Sequence, residues 1–371
     1  MRLTKLYIHN YKSFYDTTIE LDKMNILVGE NNSGKSNLID VLEFIDIVLS
    51  KKDLEKAIID RGGFQKLLNY KYSEEKIRIE LELEDDFFKT IRRISLSQTI
   101  MVFSRMTYQK IGNKYTPIGI IASRANFKSG KSTTRHYVFE KNIAKGSLSE
   151  SAAIFAGHIN MEVPLKTYAF NTETIRNQSH KESTKELSKD GSTLGKNLFH
   201  IKNTYPNTFE LISNSMIGIV NEIDAIDVQE TFGNYLIGFH EKNRQIGIDM
   251  VSDGTINLLS TITALNQEDD KSILLAFDEP ERYLHLKAIN YLLESFRASE
   301  KQILITTHST EILKYANLDE IVFIYRDADG NTQSIRANKI DGLKDMLKEL
   351  SYERDLTLDE LIADGIIGDF E

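Results

Sequence analysis

The most informative segment of this chain is Gly29-Glu30-Asn31-Asn32-Ser33-Gly34-Lys35-Ser36, which matches the pattern Gly-x-x-x-x-Gly-Lys-Ser. It follows the apolar run 25–28 and precedes a segment, 36–49, whose apolar residues recur every three or four positions. That order predicts a buried strand, a glycine-rich turn and a helix that packs on a sheet. Backbone N–H groups and the positive end of such a helix face anionic groups, so the segment predicts a polyphosphate site.

Each fixed residue of the pattern has a chemical task. The Lys35 ammonium places a positive charge toward the β and γ phosphates, and the Ser36 hydroxyl ligates Mg²⁺. The glycines permit a close approach of the backbone that side chains would block. The predicted nucleotide contacts of the loop are Gly29, Asn31, Asn32, Ser33, Gly34, Lys35, Ser36 and Asn37.

Two carboxylates, Asp278 and Glu279, follow the apolar run 273–277. The carboxyl ends of parallel strands are where open α/β sheets bind ligands, so we expect both side chains at the phosphate loop. Asp278 is the predicted second Mg²⁺ ligand, and Glu279 is the predicted general base for the attacking water. The alternative is an ordinary solvated loop after a strand.

A second apolar run, 303–306, ends shortly before His308. Two short apolar runs separated by a helix-length segment are typical of a parallel sheet, which places His308 at the same edge as the carboxylates. There an imidazole could bond the γ-phosphate or the attacking water. A structural histidine is the alternative for His308. His285, on the helix predicted after the carboxylates, is a further candidate functional residue, and helix packing is its alternative.

The rest of the chain predicts a mixture of sheets and helices. Strict alternation of apolar and polar residues predicts a half-exposed strand at 76–84, in a sheet that we expect to be antiparallel, and Asp329-Gly330 predicts a hairpin turn. Segments 126–134 and 177–196 lack apolar periodicity and predict loops. Further strands are predicted at 100–103, 118–121, 225–228, 236–239, 246–250 and 333–336, and a helix at 209–220.

Composition excludes several classes of protein. The 371 residues predict two to three domains, and the 41% apolar and 27% charged residues are typical of soluble globular chains. The chain has no cysteine, which excludes disulfides, thiolate catalysis and cysteine-based metal sites. We find no apolar run long enough to span a membrane and no signal peptide, and therefore expect a cytoplasmic protein without a membrane part.

Charge is distributed unevenly along the chain. The formal net charge is −9, which argues against general nucleic-acid binding through bulk charge. However, segment 89–145 holds twelve Lys or Arg against one acid, a net +11. The tail 341–371 holds ten acids against three bases, a net −7. The basic segment is the candidate DNA-binding surface, and a solvated basic loop is the alternative.

Four segments together resemble the ABC-type ATPase heads of SMC-like and RecF-like proteins, a group that includes the OLD family and many AAA-class ATPases of bacterial phage defence and DNA repair. The segments are Leu6-Tyr7-Ile8-His9-Asn10-Tyr11-Lys12-Ser13-Phe14 with the phosphate loop, Val251-Ser252-Asp253-Gly254-Thr255, Phe277-Asp278-Glu279-Pro280-Glu281 and Thr307-His308-Ser309. The resemblance implies a P-loop α/β fold, with a parallel core flanked by helices and an antiparallel β subdomain.

The resemblance also implies how the site is completed. In that group the segment at Ser252, Asp253 and Gly254 is a signature that caps the nucleotide of a second subunit, so hydrolysis needs a homodimer. Gln65 occupies roughly the position of the glutamine that joins the Mg²⁺ shell. Many relatives have Leu-His-Pro where this chain has Leu284-His285-Leu286, which puts a role for His285 in doubt.

These observations predict the domain organisation. The head is expected to be discontinuous, formed by 1–85 and 223–340. An α+β lobe, 86–222, carries the basic segment and is expected as an insertion. An acidic helical tail, 341–371, is expected to follow.

Three functions remain to be weighed. The first is a Mg-ATP-driven dimer that controls DNA or an effector, in phage defence or DNA repair. The second is the engine of a membrane transporter; against it, 217 residues separate Lys35 from Ser252, where transporter engines have about a hundred by family resemblance. The third is an ATP-dependent scaffold that restrains a separate toxin or nuclease without binding DNA itself.

Overall fold

A computed structural model describes residues 1–112, 114–128, 131–139, 162–177, 184–242 and 244–343. Within these ranges the strands are β1 (Arg2–His9), β2 (Thr17–Glu20), β3 (Met24–Val28), β4 (Lys76–Glu84), β5 (Phe88–Ser97), β6 (Ile100–Ile111), β7 (Lys114–Lys128), β8 (Lys131–Phe139), β9 (Leu165–Tyr168), β10 (Ala225–Thr231), β11 (Asn234–Glu241), β12 (Arg244–Gly247), β13 (Leu274–Asp278), β14 (Gln302–Thr306), β15 (Ile321–Arg326) and β16 (Thr332–Arg336).

The helices in the same ranges are α1 (Lys35–Leu49), α2 (Leu54–Ile59), α3 (Thr172–Asn177), α4 (Leu194–Thr204), α5 (Pro206–Ile219), α6 (Asp253–Leu265), α7 (Leu286–Ala298) and α8 (Thr310–Leu313). Short 3₁₀ turns lie at Phe64–Leu67, Ile248–Met250 and Ala337–Lys339. The predicted acidic tail lies outside the described residues beyond 343, and so do residues 140–145 of the predicted basic segment.

A mixed sheet carries the candidate site. Its described strands follow the order β16-β15-β3-β14-β13-β9, in which all neighbours are parallel except β16 and β15. Strands β3 and β14 are buried at every position, because layers of structure cover both faces of the sheet. The parallel arrangement of β13 and β14 confirms the prediction made from their two apolar runs.

The two faces of this sheet belong to different apolar cores. On one face Leu304 of β14 shares a core with Leu42 of α1 and Leu81 of β4, so α1 lies between the mixed sheet and an antiparallel sheet. On the other face Phe277 of β13 shares a core with Leu259 of α6 and with buried residues of α4, α5 and α7. The alternation of neighbouring residues between the two cores is the period-2 geometry of a strand.

An antiparallel sheet follows the order β2-β1-β4-β5-β6-β7-β8 among the described strands. Strand β4 is buried at every second residue, as its alternating sequence predicts. The loop predicted at 126–134 is wrong, because β7 reaches Lys128, β8 begins at Lys131 and the two pair in register. Backbone pairing within a sheet requires no apolar periodicity, and the threonines of this segment favour strands.

The strand predicted at 246–250 is only half correct. Strand β12 ends at Gly247, and a 3₁₀ turn, Ile248–Met250, follows it. The Ile248 carbonyl accepts a hydrogen bond from the Arg176 side chain instead of joining a strand ladder. The loop predicted at 177–196 includes 178–183, which lie outside the described residues, and its last residues from Leu194 belong to α4.

The predicted division into a head and an insertion at 86–222 stays a prediction. In the sheets, β5 pairs with β4, and β9 pairs in parallel with β13. Residues 88–97 and 165–168 therefore extend the two sheets that the predicted head contains. The second of these pairings matters for the site, because it places the end of β9 beside Asp278.

Candidate functional site

The phosphate loop joins β3 to α1, and close packing fixes its path. Gly34 has a φ of +120°, and a Cβ at this position would lie 2.2 Å from the Thr332 Oγ1 atom. Only glycine meets both conditions. Because Gly34 has no side chain to cap α1, the first N–H groups of the helix are left to a ligand.

Lys35 points back over the loop. Its Nζ donates to the carbonyls of Gly29 at 2.6 Å and Glu30 at 3.0 Å, and the residue is 4% exposed. Desolvation by burial lowers the Lys35 pKa to about 8, although Glu279 and Asp278 oppose the shift. A polyphosphate would supply the nearby negative charge that these neutral carbonyls do not, so the position suits an anionic ligand.

The loop is also braced from the hairpin of β15 and β16. The Arg326 guanidinium donates to the Asn32 carbonyl at 2.9 Å and 2.7 Å. The Thr332 hydroxyl lies 2.7 Å from the Ser33 carbonyl and 2.8 Å from the Ser13 hydroxyl. These contacts hold the loop in one conformation before any ligand is bound.

The two carboxylates lie at the carboxyl end of β13, as predicted. The Thr306 hydroxyl donates to the Asp278 Oδ1 atom at 2.5 Å, which fixes one oxygen of this side chain. Glu279 has a φ of +47°, and its N–H donates to the Thr306 carbonyl at 3.1 Å. A non-glycine residue in the left-handed region costs of order 1–3 kcal/mol, and such residues cluster at functional sites.

His308 lies between the phosphate loop and the carboxylates. Its Nδ1 atom is 3.5 Å from the Lys35 Nζ, and its Nε2 atom is 3.7 Å from the Glu279 Oε1. Burial lowers the His308 pKa, and the charge of Lys35 adds to the effect, so the neutral imidazole is favoured. A neutral imidazole can donate a proton from one nitrogen and accept one at the other.

A third carboxyl group, Glu281, is buried behind this edge. The Thr307 hydroxyl donates to its Oε1 atom, and its Oε2 atom has no hydrogen-bond partner in the described part of the chain. Burial raises the pKa of Glu281 to about 7, and the charges of Glu279 and Asp278 act in the same direction. The group is therefore largely protonated at slightly acidic pH, unlike an ordinary glutamate.

The segment at Ser252 forms the start of α6. The Ser252 hydroxyl accepts from the Thr255 N–H at 3.1 Å, so Ser252 caps this helix while it stays exposed. A Cβ at Gly254 would lie 2.4 Å from the Tyr283 carbonyl oxygen, so this turn packs directly on the loop after Glu279. Its role in capping the nucleotide of a second subunit stays a prediction.

The other predicted residues take up different positions. Asn31, Asn32 and Ser36 are exposed at the rim of the loop, and the Asn37 amide donates to the Ser13 hydroxyl at 2.8 Å. Gln65 is exposed on the 3₁₀ turn Phe64–Leu67, and its place in a Mg²⁺ shell stays a prediction.

His285 has a structural role. Its Nδ1 atom accepts from the Ala288 N–H at 3.2 Å, so the side chain caps α7.

The residues present suit ATP and Mg²⁺. The Ser36 hydroxyl and the Asp278 carboxylate are hard oxygen donors of the kind that Mg²⁺ prefers together with phosphate oxygens. The buried Ser33 Oγ atom has no hydrogen-bond partner within the described residues, and it lies in the loop itself. In the described ranges, no group of three or more His, Asp or Glu side chains could hold a metal ion.

The basic segment does not form one exposed positive surface over its described part. Arg92 and Arg105, paired across β5 and β6, are each 4% exposed. Lys89 lies 2.5 Å from Glu82, and Arg93 lies 2.7 Å from Glu80, so glutamates of β4 neutralise both cations. The exposed cations that remain lie at the far end of the sheet, at Lys110 and Lys114, and the side chains of residues 119–139 are not described.

Sequence reasoning missed the side chains that support the site. Thr306 ends an apolar strand, and Thr332 follows the predicted hairpin turn, so neither lies in a motif of its own. Arg176 lies one residue before the segment predicted to be a loop, 177–196, and its side chain contacts the segment before α6. A polar residue at the end of a buried strand was the one available signal, and it indicated Thr306.

No helix in the described ranges is long and apolar enough to cross a membrane.

Comparisons with known proteins found a matching family and several relatives. A family model described as "AAA domain, putative AbiEii toxin, Type IV TA system" matches residues 24–314. The Old nuclease of Escherichia phage P2 is 24% identical over 372 residues, which cover 89% of this chain and 60% of the nuclease. The chain thus spans less than two thirds of that relative. The DNA replication and repair protein RecF of Acetivibrio thermocellus is 23% identical, over 88% of this chain and 99% of its own length.

Solved structures show the same fold. An SMC head bound to the C-terminal winged-helix domain of ScpA matches with a TM-score of 0.55 and 17% identity, over 91% of this chain and 99% of its own. An SMC head with an extended coiled coil, bound to the C-terminal domain of ScpA derived from Pyrococcus furiosus, matches with a TM-score of 0.50 and 15% identity, over 94% and 99%. At these identities the likeness concerns the fold alone, and it confirms the predicted fold class.

Proposed function

The chain belongs to the family of AAA domains described as putative AbiEii toxins of type IV toxin–antitoxin systems, and on this premise we propose that it binds and hydrolyses Mg-ATP between two copies of itself. The fold is that of an SMC-like and RecF-like ABC-type head, which has a phosphate loop on one face and a signature turn on another. In the proposed dimer each nucleotide lies between the phosphate loop of one copy and the Ser252–Gly254 turn of the other.

Within one copy, the side chains divide the chemistry of hydrolysis. The N–H groups of the loop and the Lys35 ammonium hold the phosphates, and Ser36 and Asp278 hold Mg²⁺. When bound, Mg²⁺ neutralises the charge that develops on the phosphate oxygens. The Glu279 carboxylate accepts a proton from the attacking water at Oε1 or Oε2. The neutral His308 imidazole donates a hydrogen bond to the γ-phosphate or to that water.

One observation carries the proposal. His308 lies 3.5 Å from the ammonium that would hold the phosphates and 3.7 Å from the carboxylate that would accept the proton. A protein that only binds ATP needs the Lys35 ammonium alone. Hydrolysis needs the ammonium and the Glu279 carboxylate close together. The left-handed backbone at Glu279, which directs its side chain from the end of β13, supports a catalytic role in the same way.

Catalysis between two copies is tested by mixing two inactive variants. Lys35→Ala removes the phosphate contact, and Ser252→Arg places a bulky cation on the exposed face of the signature turn. We expect each variant alone to lack ATPase activity and Ser252→Arg to retain ATP binding as a single subunit. Equimolar mixing should restore activity, up to about half of the wild-type rate, since each mixed dimer has one intact site of two and dimers of one variant alone have none. Full activity of Ser252→Arg alone would overturn the proposal.

The proposal also concerns which molecule the ATP-bound dimer controls. We propose DNA, for two reasons. The names of two relatives concern nucleic acid, a nuclease and a replication and repair protein. In addition, Lys110 and Lys114 are exposed at the end of β6 and the start of β7, within the lysine- and arginine-rich segment 89–145. The pathway would be phage defence or DNA repair, with a separate nuclease or toxin as the effector. The basic segment would contact the phosphate backbone and not the bases.

A specific observation favours a second candidate function. Glutamates neutralise Lys89 and Arg93, Arg92 and Arg105 are buried, and the whole chain carries a net charge of −9. A surface of this kind suits an ATP-dependent scaffold that restrains a protein effector without binding DNA. Measuring DNA affinity with the ATP-bound Glu279→Gln dimer separates the two candidates, because only the first requires binding that weakens with salt.

A further inference from the structure

Arg176 makes three contacts with the segment that leads into the signature turn. Its Nη1 atom donates to the Ile248 carbonyl at 2.7 Å, and its Nη2 atom donates to the Val251 carbonyl at 2.9 Å. The same Nη2 atom lies 2.6 Å from the Asp253 Oδ1 atom. One guanidinium therefore binds the 3₁₀ turn, the residue before Ser252 and the first residue of α6.

This segment depends on a side chain for its shape. Val251 and Ser252 have extended backbones, with ψ near 160° and 156°, between the 3₁₀ turn and α6. The Ile248 and Val251 carbonyls thus lie outside the helix. A planar guanidinium with donors at fixed angles selects one arrangement of these acceptors, and charge-assisted bonds of this kind are about twice as strong as neutral ones.

The other end of Arg176 is tied to the carboxylate edge. Helix α3, which carries Arg176, begins four residues after β9 ends at Tyr168, and Tyr168 pairs with Phe277, the residue before Asp278. Residues 169–171, between β9 and α3, and Thr172, the first residue of α3, line a cavity of about 230 Å³ together with Asp278 and Glu279. The turn that would contact a second copy is therefore connected, through one side chain, to the strand beside the carboxylates of its own copy.

We propose that Arg176 is a positioning residue that holds the Ser252–Gly254 turn in the conformation required to cap the nucleotide of a second copy. This role rests on the proposed function. Arg176 lies outside the four segments that carry the family resemblance. Arg176 contacts no residue of the phosphate loop in the described structure, so its effect is exerted on the site of the partner and not on its own. The side chain hydroxyl of Ser252 and the first N–H groups of α6 lose their orientation without it.

The structure predicts how substitutions at Arg176 rank. Arg176→Ala removes all three contacts, and we expect the ATPase rate to fall at least tenfold while the affinity of the single subunit for ATP changes less than twofold. Arg176→Lys retains a charge but cannot reach three acceptors with one planar group, so an intermediate rate is expected. Arg244→Ala is the matched control, because Arg244 is an exposed arginine on β12 that pairs with Glu241; it should leave the rate unchanged.

Mixing again provides the decisive experiment. In a mixed dimer of Arg176→Ala and Lys35→Ala, one composite site has an intact loop from the first variant and an intact signature from the second. We therefore expect the mixture to recover activity, up to about half of the wild-type rate, although each variant alone is inactive or nearly so. The mixture of Lys35→Ala with Ser252→Arg is run in parallel and tests the dimeric site itself.

The outcomes separate the two ideas. If Lys35→Ala with Ser252→Arg recovers activity and Lys35→Ala with Arg176→Ala does not, Arg176 acts within its own copy and the inference is wrong while the proposed function stands. If neither mixture recovers activity, the proposed shared site fails. Should Arg176→Ala lose ATP binding through misfolding, the same mixture is made with Arg176→Lys, which must then be complemented. Wild-type activity of Arg176→Ala alone also overturns the inference.

Discussion

At the scale of single residues, Lys35 and Glu279 are assigned tasks that a substitution can separate. Glu279→Gln keeps the size and shape of the side chain but cannot accept a proton, so we expect ATP binding to persist and turnover to fall by about a hundredfold or more. The ATP-bound dimer should live longer as a result. Single-turnover hydrolysis and light scattering after addition of ATP measure the two effects.

The control for Glu279→Gln is Lys35→Ala, which we expect to lose nucleotide retention altogether. The two variants should therefore differ in ATP binding and in dimer formation, although both are inactive. A Glu279→Gln protein that hydrolyses ATP at the wild-type rate contradicts the assignment of the general base and leaves His308, 3.7 Å away, as the alternative proton acceptor.

Glu281 predicts a pH dependence of stability. Burial raises its pKa from 4.5 to about 7, so the folded state binds a proton more tightly than the unfolded state. The contribution of this group to stability is fully present below pH about 4.5 and is lost as the pH rises through about 7. We expect Glu281→Gln, which cannot ionise, to lose less stability than the wild type between pH 5 and pH 8, by on the order of 2–4 kcal/mol.

Chemical denaturation at the two pH values, without nucleotide or Mg²⁺, measures this difference. Glu55→Gln is the matched control, because Glu55 is exposed on α2. The control should follow the wild-type pH dependence. A Glu281→Gln variant with the same pH dependence as the wild type would show that Glu281 is ionised in the folded protein at pH 5.

At the scale of elements, the sequence predicted the strands, helices and turns whose structure follows from residues that are neighbours in the sequence. The strand, loop and helix around Lys35 and the parallel pair β13 and β14 follow from apolar periodicity and from the glycine pattern. The carboxylates and His308 could be predicted because parallel strands end at one edge of a sheet. These parts required no knowledge of distant contacts.

The remaining elements depend on contacts that are remote in sequence. Thr332 is almost 300 residues from Ser33, yet its hydroxyl lies 2.7 Å from the Ser33 carbonyl. The strand predicted at 246–250 ends at Gly247, and the Ile248 carbonyl accepts its hydrogen bond from the remote Arg176. Segment 126–134, at the end of β7 and the start of β8, lacks apolar periodicity, and its described residues are held by backbone pairing between these two strands. Periodicity within a window of ten or fifteen residues carries no information about such partners.

The brace from β16 to the phosphate loop makes a prediction of its own. Thr332→Val keeps the volume of the side chain but removes the hydroxyl beside the Ser33 carbonyl and the Ser13 hydroxyl, in a position that is fully buried. The Ser13 hydroxyl keeps its hydrogen bond from the Asn37 amide, but leaving the Ser33 carbonyl unsatisfied costs about 1–3 kcal/mol. If half of that cost falls on the conformation that binds phosphate, the ATP affinity of the single subunit drops by roughly two- to twelvefold.

Isothermal titration of ATP into the Thr332→Val and Thr332→Ser variants measures this effect. Thr332→Ser keeps the hydroxyl and should bind ATP nearly as tightly as the wild type, although it loses one methyl group. Equal affinity of the wild type and Thr332→Val would show that the loop keeps its shape without the brace, and that Arg326 at the Asn32 carbonyl is sufficient.

At the scale of the whole molecule, the exposed cations Lys110 and Lys114 are separated from the proposed catalytic edge. The carboxylates, Lys35 and the signature turn lie around the mixed sheet, whereas the exposed Lys110 and Lys114 lie at the end of β6 and the start of β7 in the antiparallel sheet. Helix α1 connects the phosphate loop to the antiparallel sheet. Its first residue, Lys35, donates to a carbonyl of the loop, and its apolar residues share a core with those of β4. A change at the nucleotide could therefore reach the antiparallel sheet through α1.

This separation gives the last prediction. If the protein binds double-stranded DNA through the antiparallel sheet, replacing Lys110 and Lys114 by Glu should weaken binding uniformly across sequences. It should also lower the dependence of log affinity on log salt by about 2, since each lost phosphate contact is worth about 0.9. Lys271→Glu with Lys287→Glu is the matched control, because it makes the same change in net charge at exposed positions beside the mixed sheet. Fluorescence anisotropy with the Glu279→Gln protein and ATP measures both slopes. Equal losses in the two double variants would mean that net charge alone governs the affinity. No binding by any of the proteins at low salt would favour the scaffold that restrains a protein effector.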